Sequence, residues 1–398
     1  MAFAFDGIRV IDFTQVIAGP FATQQLASLG AQVIKIEQRG SGDTTRGLMS
    51  TAEHGMSPTF LTCNIGKRSL TLNLKSSAAK DIVHRLVKTA DVVVENFKPG
   101  VMARLGFDYP TLCNLKPDLV YCAISGYGHS GPKSPLPAFD GAIQADSGMM
   151  SISGHTETGP TRAGYFAVDM ATALHAAFAI SAALYRCRAT GAGQHIDVAM
   201  MDTAIVMQAA QVTAHLVNGV IPDLIGNKSP TKQPTANVFS CADGFIQVIA
   251  LKEDQVERLF TLLGLQTVYA QEPFCRSTSR VANSEQVHST LNAELKRKPT
   301  NEWLALFAQR QIPASAVNDY PTMISDPQLA ARNVFTDVPS PNEPGAMTRA
   351  VFSGHTADID GPSPMRPPPG LGQHSEEILL ELGYSRDDIR AFADQGVI

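Results

Sequence analysis

The chain has 398 residues, 44% of them hydrophobic and 17% charged, with a formal net charge of −5. That length exceeds what one core usually fills, so two domains are expected, and the composition is that of a globular protein with large cores. The acidic balance and the absence of any Lys/Arg-dense run exclude an electrostatic duplex binder. No nucleic-acid partner is expected, and an anionic ligand would have to be held by a local cluster of cations.

The first residues, MAFAFDGIRVIDF, enter a strand pattern at once, without the basic start, apolar run and cleavage site of a signal peptide. IRVIDF (8–13) reads as a buried strand. PFATQQLASLG follows as a helix with Pro20 in its first turn and Gly30 as its stop. AQVIKIE (31–37), SLTLNL (69–74), DVVVENF and DLVYCAIS are further strands, and SSAAKDIVHRLVKTA is an amphipathic helix with a serine cap. This alternation predicts an α/β fold, a mostly parallel sheet covered by helices on both faces, with ligands bound beyond the carboxyl ends of its strands. The run 170–184 comes nearest to a membrane span, but Thr172, His175 and Ser181 interrupt it, so no membrane association is expected. The texture changes after Asn218. Residues 1–218 read as the large domain and 219–239, rich in Gly, Pro, Asn and Ser, as a linker. Residues 240–315 read as a smaller domain with a strand at GFIQVIAL, and the remainder is irregular and proline-rich.

The six cysteines form no C-x-x-C pair and have no histidine at ligand spacing, so neither zinc nor any other metal is expected, and a reducing cytoplasm suits them. The first strand–helix turn, FTQVIAGPFATQ, lacks G-x-G-x-x-G, which argues against a nicotinamide cofactor there. NIGKRS lacks the glycine spacing of a P-loop. IEQRGSGDTTRG carries Arg39 and Arg46, GKRSLTLNLK carries Lys67, Arg68 and Lys75, and Lys98 and Arg104 follow the next strand. If these converge on one rim of the sheet they suit a ligand with several phosphates; plain surface turns are the alternative. ISGYGHSGP (124–132), with Gly128 and His129, is a glycine loop that lets backbone approach a ligand, or simply a turn. Asp169 opens the small, apolar segment AVDMATALHAAFAISAAL. It reads as a helix N-cap, and also as a carboxylate kept anionic by the helix terminus and able to attack an activated acyl group.

Several long motifs in order, VIDFTQVIAGPFATQQLASLGAQVIKIEQRGSGDTTRG, KRSLTLNLK, VENFKPGVMARLGFDY, ISGYGHSGP, AVDMATAL, GAGQHIDVAMMD and RPPPGLGQHSEEIL, resemble the class III CoA-transferases along essentially the whole chain. The resemblance implies a Rossmann-like large domain built from both chain parts, with 316–398 as return linker and C-terminal portion, plus a smaller α+β domain. It also implies an interlocked-ring homodimer. Asp169 would be the nucleophile, passing through an anhydride and an aspartyl-CoA thioester. Val16, Arg39, Leu72, Lys75, Asn96, Phe97, Lys98 and Arg104 would line the site for coenzyme A, which is a substrate and not a resident cofactor. Ile17, Leu48, Gly128 and Asp140 are candidates for contact with the rest of the substrate. Oxalate-using members have Gln and Trp at the positions of Ile17 and Leu48 and a GGGG loop not evident near 227–237, so a larger dicarboxylate is expected. The α-methylacyl-CoA racemases share the fold, but their histidine is replaced by Phe139, which cannot move a proton. A non-catalytic acyl-CoA-binding protein is the third reading.

Overall fold

The computed structural model describes residues 3–48, 57–339, 345, 347–351 and 366–398, so that 340–344, 346 and 352–365 of the expected return linker lie outside them. The chain divides into two compact units, one of Met1–Met149, Ala163–Val220 and Gln328–Ile398, the other of Met150–Arg162 and Ile221–Pro327.

The first unit is built on six strands: β1 (Arg9–Asp12), β2 (Gln32–Gln38), β3 (Arg68–Leu72), β4 (Val92–Glu95), β5 (Val120–Ser125) and β6 (Gln194–Ala199). They lie in the order β3-β2-β1-β4-β5-β6, and every neighbouring pair is parallel. Runs such as Val92-Val93-Val94 suit strands buried on both faces, since β-branched side chains pack well on a pleated surface. On one face lie helices α1 (Ala18–Ser28) and α3 (Ala167–Thr190), where Ala18, Ala22, Ala173 and Ala176 let the backbones approach closely around Ile180 and Val198. On the other face the helix Ser77–Lys88 contributes Ala79, Ile82, Val83 and Leu86 at helical spacing. The helices Ser375–Glu381 and Arg386–Asp394 complete that face with Ile378, Leu379 and Ile389. They are tied to β3: Thr71 N donates to Ser375 Oγ at 3.3 Å, and Arg68 pairs with Glu377 at 2.9 Å and with Glu381 at 2.5 Å. Two shorter helices, α2 (Asp140–Asp146) and α4 (Met200–Met207), also belong to this unit. Among the described residues α3 is the one helix long and apolar enough to cross a membrane, yet Ala173, Ala176, Ile180 and Ala183 pack into the core.

The second unit holds an antiparallel sheet in the order β9-β8-β7, from β7 (Ala236–Ser240), β8 (Phe245–Ile249) and β9 (Ala314–Ala316). Helices Glu253–Leu262, Ser284–Leu295 and Thr300–Gln309 bury Leu259, Leu291, Trp303 and Phe307 against Phe239, Ile246 and Val248. Three boundaries differ from the sequence reading. The second unit runs through Pro327, so 316–327, read as the start of the return linker, belong to it. The stretch read as a linker over 219–239 ends inside β7, because Ala236, Asn237 and Phe239 are buried there. Met150–Arg162, placed by sequence within 1–218, belongs to the second unit, where Gly226 N donates to Gly154 O at 2.7 Å. Its ladder is only two residues per strand, too short to leave a period.

Candidate active site

The sheet order reverses between β1 and β4, so the chain leaves these strands toward opposite sides and opens a crevice beyond their carboxyl ends. Asn96, just past β4, closes it onto the loop after β1: its Oδ1 accepts from Gln15 N and its Nδ2 donates to Gln15 O, both at 2.8 Å. Val16 is held there at φ 71°, a left-handed conformation costly for a β-branched residue. Gly19 is required by close approach, since a Cβ would sit 2.4 Å from the Thr14 side chain.

Buried ion pairs support this loop. Lys35 Nζ donates to Thr14 O at 2.7 Å and meets Asp43 Oδ2 at 2.9 Å; both side chains are fully buried. Val16 N donates to Asp43 Oδ1 at 3.3 Å. Lys67 Nζ reaches Asp12 and Pro20 O, each at 2.8 Å. Burial pushes the Asp12 carboxyl up, but Lys67 and then Lys35 outweigh it and hold it below its ordinary value. Burial dominates at Lys67 and lowers its ammonium to about 8 despite Asp12. Glu37 accepts from Asp43 N at 3.0 Å and pairs with Arg46 at 2.6 Å.

These contacts correct the basic cluster read from sequence. Lys67 and Arg46 are consumed in buried pairs, and Arg68 opens β3 at the amino end of the sheet, away from the crevice, where Glu377 and Glu381 hold it. Arg39, Lys75 and Lys98, which follow β2, β3 and β4, and Arg104 on the short helix Val101–Leu105, are exposed. Leu72 and Ile17 are buried, Phe97 is half-buried against the sheet, and Leu48 is 45% exposed. Gly128 has φ 83° and donates its N–H to Ser125 Oγ at 2.9 Å. Phe139 is 72% exposed.

The nucleophile candidate also needs correction. Asp169 is the third residue of α3, whose cap position is Phe166, and it is not the N-cap. Asp140, buried at the start of α2, takes the terminal amides instead: its Oδ2 accepts from Val168 N at 2.8 Å and Asp169 N at 3.1 Å. The helix start therefore does not keep Asp169 anionic. Burial, and then the Asp140 charge, raise its pKa to about 7. The Cys63 thiol is close enough to feel Asp169 and, mainly through burial, is pushed up to about 12. Among the described residues none forms an ion pair with Asp169. A carboxyl with proton affinity near neutrality, aimed from a partly dry site, is both available as an anion and a stronger nucleophile than an ordinary aspartate.

A second titratable group was not anticipated. Burial lifts Glu95 to about 7, against the Phe97 N–H that its Oε2 accepts at 2.8 Å, and Asp197 adds to the rise. It lines a cavity of about 230 Å³ with Lys98, Tyr121, His129 and His195. His129 Nε2 stands 3.8 Å from Glu95. A carboxylate or lysine inside an apolar strand, as at Asp12, Lys35, Glu37 and Glu95, is the sequence signal that could have revealed this chemistry. Among the described residues no group of three or more His, Cys, Asp or Glu is placed to hold a metal.

The family described as CoA-transferase family III matches residues 5–375. A succinate–glutarate CoA-transferase of Agrobacterium fabrum is 35% identical, over 94% of this chain and 95% of that one. An acetyl-CoA:oxalate CoA-transferase of Acetobacter aceti is also 35% identical, over 83% and 85%. The crystal structure of a CAIB/BAIF family protein from Brucella suis superposes with a TM-score of 0.87 at 32% identity, over 96% of this chain and all of that one. The chain belongs to CoA-transferase family III. It is an enzyme that moves CoA from an acyl-CoA to a carboxylic acid, with CoA thioesters as substrates.

Proposed function

We propose that Asp169 is the nucleophile of this transfer and that the acceptor is a small dicarboxylic acid of the glutarate class, with succinyl-CoA as donor. The observation that carries it is the partly buried Asp169 carboxyl, poised near pH 7 in the first turn of α3. Its carboxylate attacks the thioester carbonyl; the C–S bond breaks and leaves an aspartyl–acyl anhydride and CoA thiolate. The thiolate attacks the aspartyl carbonyl, releasing the donor acid and leaving an aspartyl-CoA thioester. The acceptor carboxylate then attacks that thioester, giving a new anhydride and thiolate, and the thiolate attacks the acceptor carbonyl. Asp169 is regenerated and the thioester energy is kept, so no nucleotide is consumed. Burial of the carboxyl protects the anhydrides from water.

Arg39, Lys75, Lys98 and Arg104 suit the phosphates of CoA, which would cross the crevice between Val16 and Asn96–Phe97–Lys98, with Leu72 buried at the carboxyl end of the edge strand β3. The start of α1, where no side chain caps the helix, adds backbone donors beside Val16. Ile17, Leu48 and Gly128 surround the remainder of the site in this reading; Asp140, expected from sequence to contact substrate, is buried with both carboxyl oxygens taken by protein partners.

The functional unit in this proposal is a homodimer, interlocked as the resemblance implies. It is supported by an apolar stripe on α3, where Leu174, Phe178 and Tyr185 are 51%, 72% and 80% exposed, and by the exposed Leu216 and Val217 on the helix Ala209–Asn218. Six free cysteines favour a reducing cytoplasmic setting.

The test combines purified enzyme with succinyl-CoA and a panel of oxalate, malate, itaconate, mesaconate, citramalate and glutarate, read by mass spectrometry of the CoA thioesters. Wild-type enzyme should form glutaryl-CoA. The Asp169→Ala variant should bind CoA and transfer none; transfer near the wild-type rate would remove Asp169 from the mechanism.

A further inference from the structure

The backbone that delivers Asp169 is held at three amides by two side chains of one short helix. Asp140 and Gln144 are four residues apart on α2 and so share a face. Gln144 Oε1 accepts from Ala163 N at 2.9 Å, and Gln144 Nε2 donates to Asp140 Oδ1. Asp140 Oδ2 accepts from Val168 N and Asp169 N. Both side chains are buried, at 4% and 1% exposure, so neither exchanges these bonds for water. The exposed Tyr165 and Phe166 lie between the braced points and give the segment little anchorage of their own. α2 is itself fixed: Ile143 packs with Val168, Met200 and Ala204, and Gln208 Nε2 donates to Ser147 O at 3.1 Å.

We propose that Asp140, locked by Gln144, is the positioning residue for Asp169, fixing the first turn of α3 so that the carboxylate meets the thioester carbonyl at a productive angle. This rests on the reading of Asp169 as nucleophile. First turns of helices have no intrahelical partner for their amides and fray without a cap, and here the residue that must be aimed is inside that turn. Displacement of a reacting group by 1 Å costs about 10²-fold in rate. The cap is also a charge. Asp140 from α2 and the Cys63 thiol from the helix Pro58–Asn64 are the titratable groups that act on or feel Asp169 among the described residues, and only Asp140 raises its pKa. One side chain thus orients the nucleophile and delays its ionisation.

Three variants separate these roles. Asp140→Ala removes cap and charge; kcat should fall about 10²-fold while the KM for succinyl-CoA moves less than about threefold. Asp140→Asn keeps an acceptor oxygen for the amides and loses the charge. It should recover at least about tenfold of that loss, and the acid limb of its kcat/KM profile should move to lower pH. Gln144→Ala loosens the brace without changing charge, so kcat should fall about tenfold with the acid limb unmoved. Wild-type kcat in Asp140→Ala, or an Asn variant no better than Ala with an unmoved acid limb, overturns the inference. Should Asp140→Ala fail to fold, an unmoved limb in Asp140→Asn together with unchanged kcat in Gln144→Ala overturns it equally. Inactive Asp169→Asn beside an unimpaired Asp140→Ala removes only this inference; active Asp169→Asn removes the nucleophile itself.

Discussion

Replacing Asp169 by Asn should stabilise the enzyme while stopping it. The folded protein raises this carboxyl from 3.8 to about 7. A group whose folded pKa lies above its unfolded value binds the extra proton in the folded state, so its contribution to stability falls as pH rises between the two values. The penalty is near zero below about pH 4 and complete above about pH 7. Three pH units at 1.36 kcal/mol each set a ceiling of about 4 kcal/mol, and relaxation of a partly exposed site should halve it to about 2 kcal/mol. Asn has the same shape and cannot ionise, so Asp169→Asn should gain that amount at pH 8 and less than about 1 kcal/mol at pH 5. For a chain of this size 2 kcal/mol corresponds to about 2–3 °C in Tm. Differential scanning calorimetry of both proteins at pH 5, 6.5 and 8, without ligand, gives the comparison. A variant no more stable than wild type at pH 8, or equally stabilised at pH 5, refutes the picture of Asp169 as a strained acid.

Other perturbations probe the scaffold and the surface. Asn96→Ala removes both hydrogen bonds to Gln15, and should raise the KM for acyl-CoA several-fold while costing about 1–2 kcal/mol in urea denaturation. Lys67→Met takes from the fully buried Asp12 the cation it is paired with, leaving only the more distant Lys35, and should cost about 3–5 kcal/mol in urea denaturation; an unchanged midpoint would refute the buried pair. On the proposed interlocked homodimer, Phe178→Glu places a charge in the exposed stripe of α3, and sedimentation velocity should show less dimer, the remainder monomer or aggregate, with loss of transfer; wild-type dimer and activity would remove the stripe from the interface.

Much of the scaffold is legible in the sequence because it is written locally. Val92-Val93-Val94 and the alternating SLTLNL carry their strand character in consecutive residues, and Ser76 before the helix Ser77–Lys88 announces its own cap. The site is less legible because its contacts are not local. Asp169 could be placed near a helix start, but its amide partner Asp140 is 29 residues away and has no pattern that links the two. Lys67 reads as a surface cation until the neighbouring elements bring Asp12 to it across 55 residues. Arg68 was misassigned because the direction of β3 through the sheet, which puts it at the amino end, is a property of topology and not of composition.

The tie between β3 and the last helices sets a schedule for synthesis. Thr71 and its partner Ser375 are 304 residues apart, so at 5–20 residues per second a ribosome needs about 15–60 s to supply the second after the first. Until the end of that interval the face of the sheet beside β3 lacks the part of its cover that Ile378, Leu379 and Ile389 supply, and by then all of Ile221–Pro327 has been made. The nascent chain therefore carries a complete second unit while one apolar face of its first unit is still partly uncovered. That is the kind of intermediate a chaperone would be asked to hold, and the kind in which the same apolar face on a neighbouring chain is the most available partner.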